Sequence, residues 1–148
     1  MLDFQIKSYQ ELTKEELYNL LQLRSEVFVV EQDCVYQDID GKDQKALHVL
    51  GYKNSQIIAY TRLFDSGDYF DTPSIGRVVV KQSERKFKFG HELMKVSINV
   101  IKDNFKDKVI TISAQLYLQK FYESHGFIVV GEQYLEDDIP HIRMVLKL

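Results

Sequence analysis

The sequence predicts an α/β (α+β) protein, a mixed central sheet with helices packed on its faces. Three observations point there. Short runs of strand type, set close together, fill much of the first half. Strand-type and helix-type segments then alternate through the second half, the order that places helices on the faces of a sheet. Between the first run and the rest lies one long helical region, opened by a clear start signal.

Each element has its own warrant. Residues 4–7 alternate and read as a first strand. Thr13-Lys14-Glu15-Glu16 is a capping box, in which the Thr13 oxygen accepts an orphan amide while Glu16 reaches back. Leu17, Leu20, Leu21, Val27 and Phe28 follow at helical spacing, with Arg24 interrupting the stripe. Residues 31–43 are acidic and end on the turn signal Asp40-Gly41. Two strands, residues 48–52 and 57–64, are joined by the hairpin-length Lys53-Asn54-Ser55-Gln56. A polar loop, 65–72, leads through Pro73 into a strand at 75–80. Leu93, Met94, Val96, Ile98, Val100 and Ile101 make residues 89–103 a widely buried helix. A strand at 109–112, a helix at 115–124 and strands at 127–130 and 142–146 complete the chain.

Composition excludes several functions. The chain has 148 residues, 45% apolar and 28% charged, and is expected to form one domain, 1–148. A net charge of −3 leaves no basic surface for nucleic acid. No apolar run approaches the roughly 20 residues that cross a bilayer. Met1 to Gln5 lack the basic and apolar regions of a signal peptide, and Cys34 is the only cysteine, so a cytoplasmic protein is expected. Reading Asp38-Ile39-Asp40-Gly41 as a calcium loop fails, because Tyr36 and Leu47 would stand where carboxylates are required. No metal is expected.

The most informative stretch is Gly76 to Met94. A β-rich strand runs through a polar turn into a helix that starts near Gly90. A helix start presents unpaired amides and a positive dipole end, which suits a pyrophosphate. Arg85, Lys86 and Lys88 add positive charge there. On these residues alone, an ordinary turn with solvated basic residues stays open.

A second stretch, Ala114 to Phe127, shifts the balance. Together the two resemble the nucleotide-binding and substrate-side motifs of the GNAT superfamily of N-acetyltransferases. The first motif reads Arg/Gln-x-x-Gly-x-Gly/Ala, and here Arg85 matches its first position and Gly90 its last. In the second, Gln115 stands at an Asn-like position, Tyr122 at the tyrosine, and Gly126-Phe127 closes it. The run from Leu23 through Glu31-Gln32, Cys34 and Tyr36 to Asp43, with Gly131 through Met144, is similar to the ElaA-like branch. The sequence departs from the family at Lys86 and Lys88, where glycines are usual, and at Asp138, where the branch has Gly. A side chain at Lys88 is tolerated if the backbone stays right-handed, with its ammonium compensating for the lost glycine.

The resemblance implies a GNAT acyltransferase fold with a splay between strands four and five. It implies acetyl-CoA as co-substrate and direct transfer to a primary amine, from a small molecule or a protein. Val78, Val79 and Val80 would pair with the pantetheine arm. Arg85, Lys86, Phe87, Lys88, Phe89, Gly90 and His91 would surround the phosphates, with Gln115 and Tyr122 nearby. Tyr122 is the expected general acid; its plainer alternative is a half-buried helix tyrosine. Glu31 and His141 are candidates for the base or for amine binding, because an amine like lysine, with a reference pKa of about 10.4, arrives protonated. Three other readings stay open: a CoA-binding protein with weak or no catalysis, a cysteine enzyme using Cys34, and an interaction module. A homodimer is equally open.

Overall fold

Thr13 starts the first helix through both halves of its capping box. Its hydroxyl accepts from the Glu16 amide at 3.1 Å, and its own amide donates to the Glu16 carboxylate at 2.9 Å. In the computed structural model, which describes residues 1–148, α1 spans Lys14–Arg24. The chain then widens into a π-helical segment, Ser25–Glu31. The Gln32 amide reaches back five residues to the Val27 carbonyl, and the Cys34 amide to Val29, both at 3.1 Å.

The strands are β1 (Asp3–Ser8), β2 (Leu47–Lys53), β3 (Gln56–Phe64), β4 (Ser74–Val80), β5 (Val109–Gln115), β6 (Ile128–Val129), β7 (Tyr134–Glu136) and β8 (Ile139–Lys147). They form one sheet in the order β1-β2-β3-β4-β5-β8-β6, with β7 also pairing β8. β1 to β4 are an antiparallel meander. The crossover to β5 is made by α2 (Phe89–Asn104), so β4 and β5 are parallel.

Alternation along the strands divides the core. Val49, Ala59 and Met144 face the layer of Leu93, Met94 and Ile101 from α2. Leu50, Tyr60 and Val79 face Leu20, Leu23, Val27 and Phe28 on the other side. Neighbouring strand residues thus serve opposite cores, and helices cover both faces. No helix is long and apolar enough to cross a membrane.

The C-terminal third differs from the sequence pattern. Gln115 ends β5 opposite His141 instead of opening a helix. After it come only a tight turn, Leu116–Leu118, and the five-residue α3, Gln119–Glu123. The hairpin of β7 and β8 was not expected. Its turn holds Asp137 and Asp138 at φ 51° and 61°, the left-handed pair a two-residue hairpin needs. Asp tolerates that region better than most residues, so Asp138 can take a glycine's place.

The acidic stretch also differs from a solvated face. Arg24, fully buried, donates to Asp38 at 2.9 Å and to Asp43 at 2.7 Å. Arg62 donates to Asp40 at 2.8 and 2.9 Å and to Asp43 at 3.0 Å. Arg77, at φ 49° in a bulge of β4, lies 2.7 Å from Asp38. Three arginines and three aspartates therefore pin this loop against the sheet.

Candidate active site

β4 and β5 begin side by side and then separate. Their pairing consists of Ser74 against Thr111 alone. Beyond it, β4 keeps only β3. Lys81 donates to the Ile58 carbonyl at 2.8 Å, so by antiparallel alternation Val79 bonds to β3 as well. Val78 and Val80 then turn their amides and carbonyls into the gap, where the Val80 carbonyl accepts from Arg85 at 3.1 Å. Val79 has its backbone committed to β3 and its side chain in the α1 core.

A groove of about 400 Å3 follows this free edge to the start of α2. Val78, Val79, Val80, Arg85, Lys88, Gly90, His91, Gln115 and Tyr122 all border it. The side chains of Lys86, Phe87 and Phe89 do not. Lys86 lies over the Phe87 ring, Phe87 is half exposed, and Phe89 is buried in the core. No side chain caps α2, so its first amides meet no side-chain acceptor, although the His91 amide donates to the Lys88 carbonyl at 3.2 Å. Lys88 sits at φ 60°, ψ 30°, which is left-handed and corrects the expectation of a right-handed backbone.

Two charged groups are already matched here. Arg85 makes a bidentate pair with Glu31 at 2.5 and 2.8 Å. Glu31 thus borders the groove as a counter-ion. His91 shares a 2.9 Å contact with His125, and both rings pack against Phe121.

A second, smaller cavity of about 100 Å3 lies between the π-helical segment, β4, β5 and the β7–β8 hairpin. Phe28, Gln32, Val78, Gln115, Leu118 and Tyr122 border both spaces. Gln32 and Gln115 exchange amide hydrogen bonds at 3.2 and 3.3 Å across the junction. Tyr122 is 5% exposed, its ring set edge-on to Phe121 and Phe127, and its hydroxyl has no partner in the protein. Burial pushes its phenol well above the usual range.

His141 borders only the second cavity. Its Nδ1 lies 2.6 Å from the Ile139 carbonyl, which can only accept, so Nδ1 carries a proton, and in the neutral ring Nε2 holds the lone pair. Ser113, Tyr134 and Glu136 gather beside it; Tyr134 and Glu136 lie in the stretch similar to the ElaA-like branch, but none of the three had been named as a site residue from the sequence. The register brings them together, setting Tyr134 opposite His141, and Ser113 two residues from Gln115, which also faces His141. Cys34 lines the cavity too, its thiol 3.4 Å from the Asp137 carbonyl. Burial and the carboxylates of Asp137, Asp138 and Asp33 raise its pKa, the opposite of an activated thiol.

Comparison with known proteins agrees with this architecture. The family model described as an acetyltransferase (GNAT) domain matches residues 8–148. Protein ElaA of Escherichia coli K12 is 46% identical over 150 residues, spanning 100% of this chain and 98% of that protein. The crystal structure of Escherichia coli ElaA superposes with a TM-score of 0.92 at 44% identity, covering 99% of this chain and all of that one. An acyl-CoA N-acyltransferase from Pseudomonas aeruginosa gives a TM-score of 0.92 at 43% identity, with 99% of both chains covered.

Proposed function

The chain belongs to the acetyltransferase (GNAT) family, and on that premise we propose that it transfers an acetyl group from acetyl-CoA directly to a primary amine. One observation carries the reading: a long groove and a small polar cavity meet at Tyr122, where a donor and an acceptor would have to meet. The groove suits an acyl-CoA. Val78 and Val80 offer strand-like donors and acceptors to a pantetheine arm, and the uncapped start of α2 offers amides to a pyrophosphate beside Lys88.

An acyl thioester supplies an activated carbonyl and a thiolate leaving group. Tyr122 is the donor to that sulfur. A phenol has a reference pKa of about 10 and a thiol about 8.5, and burial raises the phenol further. The proton therefore stays on Tyr122, whose hydroxyl stabilises the charge by hydrogen bonding; solvent then protonates the thiolate. This replaces the full general-acid role expected from the motif. His141 Nε2 accepts a proton from the incoming ammonium. Glu31, bound to Arg85 on the cofactor side, is assigned no proton transfer. Overall an ammonium and an acyl thioester become an amide, a thiol and one released proton.

The test is acetyl-CoA-dependent thiol release across amine classes, with acetyl-CoA affinity measured separately. Tyr122→Phe should leave affinity nearly unchanged and lower kcat roughly a hundredfold, the scale of losing one hydrogen-bond donor to developing charge. Near-equal kcat values, with chemistry limiting turnover, would remove Tyr122 from the mechanism. Acetyl-CoA binding without turnover of any amine would make this a CoA-binding protein.

A further inference from the structure

The second cavity has a wall that lacks a donor. Tyr134 Oη and Ser113 Oγ lie 2.5 Å apart, and Ser113 Oγ lies 3.1 Å from Glu136 Oε1. Serine has one proton and an ionised carboxylate can only accept, so the order is settled: Tyr134 donates to Ser113, and Ser113 donates to Glu136. The relay holds the Glu136 carboxylate and leaves Oε2 unbound by it. Oε2 stands 3.4 Å from His141 Nε2. His141 is itself 6% exposed, its Nδ1 is committed to the Ile139 carbonyl, and its ring stacks on Tyr134. A carboxylate oxygen and, on the neutral ring, the Nε2 lone pair therefore face one space, an arrangement that a group bringing several N–H donors completes.

The remaining lining narrows what that group can be. Arg77 is the only guanidinium at the cavity, and its charge is matched by Asp38, 2.7 Å away, and Asp40, 3.4 Å away. The one cation there is already paired, and Asp137 beside Glu136 adds repulsion against a carboxylate. The cavity, about 100 Å3, is smaller than the ~150 Å3 that accepts a benzene ring. Its narrowness favours a straight chain entering end-on over a ring-borne amine.

We propose that Glu136 and His141 form an ammonium-recognition site and that the acceptor is an unbranched primary alkylamine with no carboxylate next to its nitrogen. The inference rests on the acetyl-transfer reading above and names its acceptor. A free diamine and a lysine side chain present the same chemistry, so the assay includes both.

Thiol release from acetyl-CoA is followed with 1,5-diaminopentane, a lysine-containing peptide with a blocked N-terminus, glycine and glucosamine. At least one of the two alkylamines should exceed glycine and glucosamine by about 100-fold in kcat/KM, and the better of them identifies the source. Glu136→Gln should raise KM for that amine by about 10- to 100-fold, the scale of a charged hydrogen bond, with acetyl-CoA affinity unchanged. A role confined to folding would lower the melting temperature and leave KM alone. If Glu136→Gln does not fold, Ser113→Ala, which frees the carboxylate, should raise KM in the same direction by less. Efficient turnover of glycine or glucosamine would overturn the acceptor assignment while leaving acetyl transfer standing. So would a KM within twofold of wild type in Glu136→Gln. If acetyl-CoA binds and no amine is acetylated, or if it does not bind, both readings fall.

Discussion

Lys88→Gly separates two effects that act on one residue. Lys88 holds φ 60°, ψ 30° immediately before α2 and borders the groove. A non-glycine residue in that region costs about 1–2 kcal/mol, and glycine gives back about 0.4–1 kcal/mol through its freer unfolded chain. The substitution should therefore stabilise the fold by about 0.5–1 kcal/mol, raising the melting temperature by about 1–4 °C. Binding should move the other way. The strain belongs to the loop whether or not an acyl-CoA is bound, so it cancels in the affinity and only the lost ammonium remains. One charge about 4 Å from a phosphate in water is worth ~1 kcal/mol, or about fivefold in Kd. Calorimetric titration with acetyl-CoA at low salt should show that loss, and it should shrink at about 1 M salt, where screening acts over ~3 Å. A lower melting temperature would refute the strain argument. Tighter binding, or a loss indifferent to salt, would refute the electrostatic one.

Glu31→Gln should free Arg85 from its bidentate partner and tighten acetyl-CoA binding a few-fold, leaving the pH profile of kcat/KM unchanged. Loss of the alkaline rise in that profile would restore Glu31 as the base. Asp43→Ala leaves two buried guanidiniums, Arg24 and Arg62, short of their shared acceptor. Chemical denaturation should show a loss of about 3–5 kcal/mol, and a loss below about 1 kcal/mol would mean the network contributes little to stability. Acid should act on the same network. Burial works to raise Asp40, but its hydrogen bonds and charge contact with Arg62 outweigh that and hold it at about 2; Asp43 is lowered too, by Arg24 and Arg62 against the same burial. Folded values below the unfolded ones mean stability present above about pH 4 and lost as pH falls toward about 2. Urea midpoints that stay level from about pH 5 to about pH 3 would contradict this.

Much of the architecture was legible because it is local. The capping box at Thr13, the hairpin-length link at Asn54-Ser55 and the apolar stripe of α2 involve partners within a few residues. The alternation that sends Val49 and Leu50 to opposite cores is equally short-range. The same locality explains the errors. Residues 113–115 are ambiguous by period, and only pairing with Arg143, Ile142 and His141 commits them to a strand. Asp38, Asp40 and Asp43 look like a solvated run until Arg24, Arg62 and Arg77 arrive from three other elements. Glu31 looks like a free base until Arg85, 54 residues away, closes on it.

The sequence by itself determined most of the strands and helices, the family and the identity of most groove residues, since these depend on short periodicities and motif spacing. The tertiary structure alone decided where the groove and the second cavity lie and which side chains meet in them. A single parallel pair, Ser74 with Thr111, lets β4 and β5 part, and the crossover geometry of α2 sets where they do so. The π-helical widening brings Phe28 and Gln32 to both cavities. The register of β8 between β5 and β7 gathers Ser113, Tyr134, Glu136 and His141 from positions up to 28 residues apart. Register is settled by burial across a whole sheet, so no local pattern announces which side chains it will bring together.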